Sequence, residues 1–221
     1  MNEFTWNFNG LTLTFASCVS LFSPTAVDRG TQKMIELADI LRKAKKCTLP
    51  SLPTVAVKGQ NEKQNAEIAL SLYINDGDFV LDLGCGYGAV GIYFAKVLGA
   101  ENVVMSDIDP VALEYAKKNA HSNGVGDVRI IESDGFNNID MTGFTQILVN
   151  PPYHADFSVP KHFIEKGFNR LAIGGTMHMV TKRKDWYKNK FASIFGGVRV
   201  DASDGYFVFS AQKRRMKYAK G

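Results

Sequence analysis

The chain has 221 residues, of which 45% are hydrophobic and 22% charged, with three cysteines and a formal net charge of +4. That length suits one domain with a sizeable core, and the composition is that of a globular protein. Three scattered thiols exclude a disulfide frame or a zinc site, and no apolar run reaches membrane-spanning length. The N-terminal stretch "MNEFTWNFNG" shows no basic segment leading into an apolar one, so no signal peptide is expected and the expected location is the cytoplasm. The mild positive charge gathers in "RKAKK" at 42–46, "TKRKDWYKNK" at 181–190 and "KRRMKYAK" at 213–220, clusters that suit a nucleic-acid surface or a solvated face.

In chain order, "FTWNFNGLTLTF" reads as a hairpin, because Asn9-Gly10 supplies the positive φ of a tight turn between alternating strands. "TQKMIELADILRKAKK" predicts an amphipathic helix with Met34, Ile35, Leu37, Ala38 and Leu41 on one face. The proline-containing "CTLPSLPTVAVKGQ" predicts a loop, and "NEKQNAEIALSLY" a second helix. From Phe79 the pattern becomes strand and helix in alternation. "FVLDLG" is an unbroken apolar strand, followed by a glycine-rich turn and the helix "AVGIYFAKVLG". The strand "NVVMSDI" leads to a helix with Asp109 as cap and Pro110 at its first position. Strands "VRIIESD" and "QILVN", a helix "PKHFIEKGFNRLAI", a strand "GGTMHMVT" and a helix "DWYKNKFASIF" follow. The closing strands "VRVDA" and "YFVFSAQ" are too close for a helical crossover and must be antiparallel. The expected fold is α/β, a Rossmann-like, mostly parallel sheet with an antiparallel edge strand and a small N-terminal hairpin-and-helix extension. The expected organisation is an extension over 1–60 packed on a main domain over 61–221.

"VLDLGCGYG" carries the first chemistry. Gly84, Gly86 and Gly88 let the backbone turn tightly and leave room for a ligand against it, with Cys85 as a small residue between them. Asp107, ending the next strand beside Ile108, can accept hydrogen bonds from ribose hydroxyls. The spacing G-x-G-x-G and the acidic Asp82 just ahead argue against a pyrophosphate and for a cationic ligand. S-adenosylmethionine, with an ammonium and a sulfonium, meets that demand. Asp134 and Gly135 follow the third core strand. There Asp134 can accept from an adenine amine, and neighbouring Phe136 is expected to pack on the ring.

"ILVNPPYHADF" carries the second. The Asn150 side-chain carbonyl and the Pro151 backbone carbonyl can each accept one N–H of an exocyclic amine. Holding both hydrogens bends the nitrogen towards tetrahedral geometry, and Pro151 and Pro152 fix the carbonyl directions in advance. Tyr153 can stack on a flat substrate, for roughly 1–3 kcal/mol per base. His154 is a candidate substrate contact, and no metal is required. A β-turn is what "NPP" alone would otherwise mean.

These motifs resemble the class I S-adenosylmethionine-dependent methyltransferases, and among them the methyltransferase small domain family, best known for ribosomal RNA guanine-N2 methyltransferases. "LFSPTAVDRGT", "VLDLGCGYGAVGIYFAK", "SDIDPVALEYAKKNA", "NPPYH" and "GYFVFSA" carry the resemblance, from about Phe15 to Lys213. It implies a cofactor- or substrate-positioning role for the segment with Phe22, Ser23, Asp28, Gly30 and Thr31, above all for Phe22 and Asp28. The guanine-N2 enzymes usually carry Phe where this chain has Tyr153, so the acceptor stays open. Guanine-N2 in ribosomal or transfer RNA leads; adenine-N6, a release-factor glutamine and a non-catalytic RNA-binding role are the alternatives. RNA is the expected partner, of a monomer or homodimer. The longer stretch ahead of the first core strand reads as an insertion that meets RNA.

Overall fold

The computed structural model describes residues 2–47, 77–152 and 156–218. The predicted second helix, the proline-rich loop after Cys47, Tyr153 and His154 lie outside them. The hairpin is β1 (Asn2–Phe8) and β2 (Leu11–Ser17), in register from Asn2 opposite Ser17 to Phe8 opposite Leu11. Asn9 and Gly10 make the turn at φ 47° and 79°, the twist a two-residue hairpin needs.

Helix α1 (Arg29–Cys47) begins two residues before the predicted start, because Asp28 caps it: its Oδ2 accepts from Thr31 N at 2.9 Å. Met34, Ile35, Leu37 and Ala38 are buried as the periodicity required. The main sheet contains β3 (Val80–Leu83), β4 (Val103–Asp107), β5 (Arg129–Glu132), β6 (Phe144–Val149), β7 (Leu171–Thr181), β8 (Arg199–Ser203) and β9 (Tyr206–Gln212), in the order β5-β4-β3-β6-β7-β9-β8. β3 to β7 run parallel, while β9 opposes both β7 and β8. The connecting helices are α2 (Ala89–Leu98), α3 (Pro110–Ser122), α4 (Ser158–Arg170) and α5 (Asp185–Phe195). Asp109 caps α3 as expected, accepting from Val111 N at 2.9 Å.

One boundary differs from the expectation. Leu171, Ala172 and Ile173 belong to β7 and not to the preceding helix. Leu171 pairs with Phe144 across the sheet, and Gly174, at φ 84°, then carries the strand through a bulge.

Two cores flank the sheet. One joins the hairpin, α1, α2 and α3 through Phe15, Met34, Ile35, Tyr93 and Leu113. The other joins α4 and α5 through Ile164, Phe168, Phe191 and Phe195. The hairpin therefore shares the sheet's hydrophobic core. Asn119 of α3 extends this link with polar contacts. Its amide accepts from Ala16 N at 2.7 Å and donates to Ala16 O at 2.9 Å and Tyr87 O at 2.8 Å. One buried side chain thus ties the end of β2 to the glycine turn.

Candidate active site

After β3 the chain runs β4 and β5 to one side, then returns with β6 to the other side of β3. Neighbouring loops part at such a reversal, and a crevice opens at the carboxyl ends of the strands. A cavity of ≈ 710 Å³ lies there, lined by the loops after β3, β4, β5 and β6 and by the segment leading into α1.

Gly84, Gly86 and Gly88 adopt φ of 75°, 56° and 94°. A Cβ on Gly84 or Gly86 would meet no atom within 4 Å, so the main chain there faces open space. Ser106 O accepts from Gly84 N and Cys85 N, each at 2.8 Å, which draws the turn against β4. Asp107 braces it from the other side: its carboxylate accepts from Gly86 N at 2.8 Å and Asp109 N at 3.0 Å. Two fixed contacts leave further lone pairs for hydroxyl donors. Ile108, 61% exposed, lines the cavity beside it.

Asp82 is 3% exposed, and its Oδ2 accepts from Gly91 N at 2.8 Å in the first turn of α2. Burial pushes its carboxyl up to about 7, the Asp107 charge adds to the rise, and the Gly91 bond opposes it. A Cβ on Gly91 would stand 2.3 Å from the Met105 sulfur, so a side chain there would force Met105 to move. Burial also pushes the Cys85 thiol up, so it remains a neutral small side chain.

Asp134 and Gly135 line the cavity, whereas Phe136 does not. Phe136 turns into the core on the α4 side, where it is 4% exposed. The expected ring partner is therefore misassigned. Phe163 of α4 reaches the wall instead, with its Cε1 3.0 Å from the place a Cβ on Gly135 would take. Sequence reasoning missed Phe163 because its position depends on how α4 crosses the sheet, which no local pattern encodes.

Asn150 sits at the end of β6. Its Nδ2 donates to Thr31 Oγ1 at 2.8 Å and Asp28 Oδ2 at 3.3 Å. The Thr31 hydroxyl donates its only hydrogen to Asp28 Oδ2 at 3.0 Å, so its oxygen can only accept from Asn150. A carboxylate likewise only accepts. The amide orientation follows from this chemistry, and Asn150 Oδ1 is left buried without a hydrogen-bond partner. A buried acceptor left in this way costs about 1–3 kcal/mol until a donor arrives. Pro151, Pro152 and Phe22, the last 54% exposed, complete the wall.

The sequence model of the Methyltransferase small domain matches residues 59–210. The chain belongs to the methyltransferase small domain family. As a family member it is similar over 96% of its length to the uncharacterized protein YbxB of Bacillus subtilis (strain 168), at 28% identity and covering 92% of that protein. It is 30% identical to the ribosomal RNA small subunit methyltransferase C of Haemophilus ducreyi, over 81% of this chain and 54% of that one. The chain thus spans about half the length of that relative. Among solved structures, the T. thermophilus 16S rRNA N2 G1207 methyltransferase (RsmC), in complex with AdoMet and guanosine, superimposes with a TM-score of 0.72 at 23% identity. It covers 96% of this chain and 50% of that one, and shows the shared fold. TrmN from Thermus thermophilus follows at 0.55 and 25%, covering 73% and 52%.

The family's methyl donor is S-adenosylmethionine, and the cavity's chemistry fits it. Carboxylates at 82, 107 and 134 line the same cavity as the glycine turn, with no basic counterpart among the lining residues, which favours a ligand bearing positive charge. No helix among the described residues is long and apolar enough to cross a membrane, and no metal-holding cluster of side chains occurs among them.

Proposed function

We propose that this protein methylates an exocyclic amine of a base in RNA, with guanine-N2 of ribosomal or transfer RNA as the preferred acceptor. The observation that carries the reading is the orphaned Asn150 Oδ1, fixed as an acceptor at the cavity wall. The ribosomal RNA methyltransferases among the relatives support RNA as the substrate class.

When bound, S-adenosylmethionine supplies an electrophilic methyl group on a sulfonium. Asp82 would attract its cationic end and Asp107 would accept from the ribose hydroxyls. Asp134 would accept from the adenine amine, and Ile108 and Phe163 offer apolar surface for the ring. On the acceptor side, Asn150 Oδ1 and the Pro151 carbonyl each take one N–H. An aryl amine is a poor nucleophile because its lone pair is shared with the ring. Two fixed acceptors weaken that sharing and direct the lone pair, so the contribution is preorganisation rather than proton transfer. Asp28 and Thr31 hold the amide in the useful orientation. Pro152 stiffens the turn, and the sequence offers Tyr153 for stacking on the base and His154 as a substrate contact. The methylated nitrogen is cationic and acidic, and it releases its proton to water without a general base.

The test is transfer of a labelled methyl group to total RNA, total DNA and a protein extract, followed by nucleoside and amino-acid mass spectrometry. The expected product is N2-methylguanosine in RNA. N6-methyladenosine would overturn the base assignment, and label only in glutamine would overturn the RNA reading. No label anywhere, with the donor bound, would make the protein a binding factor.

A further inference from the structure

We infer that residues 182–184, at the carboxyl end of β7, form a track for the backbone phosphates of a single-stranded RNA segment next to the nucleotide that enters the cavity. The inference rests on the RNA reading above.

Of the basic clusters in the sequence, the structure commits Arg42 and Lys43 of one and Lys213 of another to internal contacts. Arg42 is buried and pairs with Asp39 and Asp78, and Lys43 also pairs with Asp39. Lys213 is 5% exposed, donates from Nζ to Leu171 O at 2.7 Å and lies over the Phe168 ring. In the cluster after β7, Lys190 pairs with Glu165, while the three cations nearest the strand stay at the surface. Lys182, Arg183 and Lys184 are all exposed, and each cation lies over an aromatic ring: Tyr206 at 5.2 Å, Phe157 at 5.0 Å and Phe207 at 5.8 Å. A ring face orients a cation without cancelling its charge. Among the described residues, neither Arg183 nor Lys184 has a carboxylate partner in an ion pair.

The rings place this ridge at the acceptor end of the cavity. A Cβ on Gly30 would stand 2.5 Å from the Tyr206 ring, and Gly30 lies between Asp28 and Thr31, which hold Asn150. Phe157 immediately precedes α4, whose Val159 lines the cavity. The cavity is lined by Asp28, Asp82, Asp107, Asp109 and Asp134, so it repels phosphate and admits a neutral base. An acidic well beside a basic ridge sorts a nucleotide into base inside and phosphate outside.

The experiment measures binding of a single-stranded RNA oligonucleotide to the full chain from 50 to 300 mM salt. It compares the wild type, the triple variant Lys182→Gln, Arg183→Gln, Lys184→Gln, and the charge-preserving Lys182→Arg, Arg183→Lys, Lys184→Arg. Three lost phosphate contacts predict a slope of log affinity against log salt that is shallower by about 2, and affinity weaker by roughly tenfold or more, in the glutamine variant only. Retained S-adenosylmethionine affinity reports that the variant is folded. An unchanged slope in the folded glutamine variant overturns the track, as does an acidic peptide that displaces the RNA at equal concentration. Either result leaves the methyl-transfer reading intact, because that reading fails on the absence of methylated nucleoside instead.

Discussion

Thr31 Oγ1 stands 2.8 Å from Asn150 Nδ2, across 119 positions of sequence, while its own hydrogen is committed to Asp28. The cap of a helix and the orientation of an amide at the cavity wall are therefore one network. Thr31→Val keeps the shape and removes the acceptor. Turnover is expected to fall by roughly tenfold to a hundredfold, within the scale of one lost preorganising contact, with donor affinity unchanged. Thr31→Ser should recover most of the rate. Steady-state kinetics beside calorimetric donor titration separates this from a loss of folding, which would lower both.

Asp82 gives the protein a pH signature. With its carboxyl raised to about 7 mainly by burial, the folded state holds a proton that the unfolded chain releases near pH 4. The stability this contributes is complete at low pH and is lost as pH rises through 7. Urea unfolding without ligand is expected to show a loss between pH 5 and 8 larger by roughly 2–3 kcal/mol than in Asp82→Asn. Parallel pH profiles for the two proteins would count against a raised Asp82. A cationic donor favours the carboxylate, so its affinity should weaken below pH 7 in the wild type alone.

Asn119 binds β2 to the glycine turn through three hydrogen bonds at 2.7 to 2.9 Å. Asn119→Ala leaves buried backbone groups at Ala16 and Tyr87 unpaired. The expected destabilisation is about 2–4 kcal/mol. Amide exchange in residues 84–88 should accelerate along with that at the end of β2, and acceleration at only one of the two places would break the proposed link.

Phe163 stands at the cavity wall where the sequence reading puts Phe136, and Phe136 belongs to the core. Phe136→Ala should cost about 3–5 kcal/mol of stability, as core phenylalanines do. Phe163→Ala should cost less stability and weaken donor binding several-fold. Thermal melts and donor titrations of the two variants check this directly, and the reverse pattern would restore Phe136 to the cavity.

The fold was legible because alternating apolar strands and amphipathic helices report burial locally. The Asn9-Gly10 turn, the Asp109–Pro110 cap and all five acidic or glycine positions around the β3 turn stood in plain pattern. The helix end at Arg170 was not, because Leu171 is apolar in either element and only its pairing with Phe144 decides between them. Phe163 was hidden for the same kind of reason, since its neighbours come from another strand. The basic runs misled in part, because burial of Arg42 and Lys213 depends on partners far along the chain. Asp28 was singled out by family resemblance, and its physical role emerges only where it meets Asn150.

On the proposed reading Asn150 Oδ1 waits for an amine hydrogen, and the single-turnover rate of Asn150→Ala reports on that role. With S-adenosylmethionine saturating and its affinity measured in parallel, the rate of methyl transfer to RNA should fall by on the order of a hundredfold or more while donor affinity stays near wild type. A rate close to wild type in a variant that still binds the donor would contradict the account.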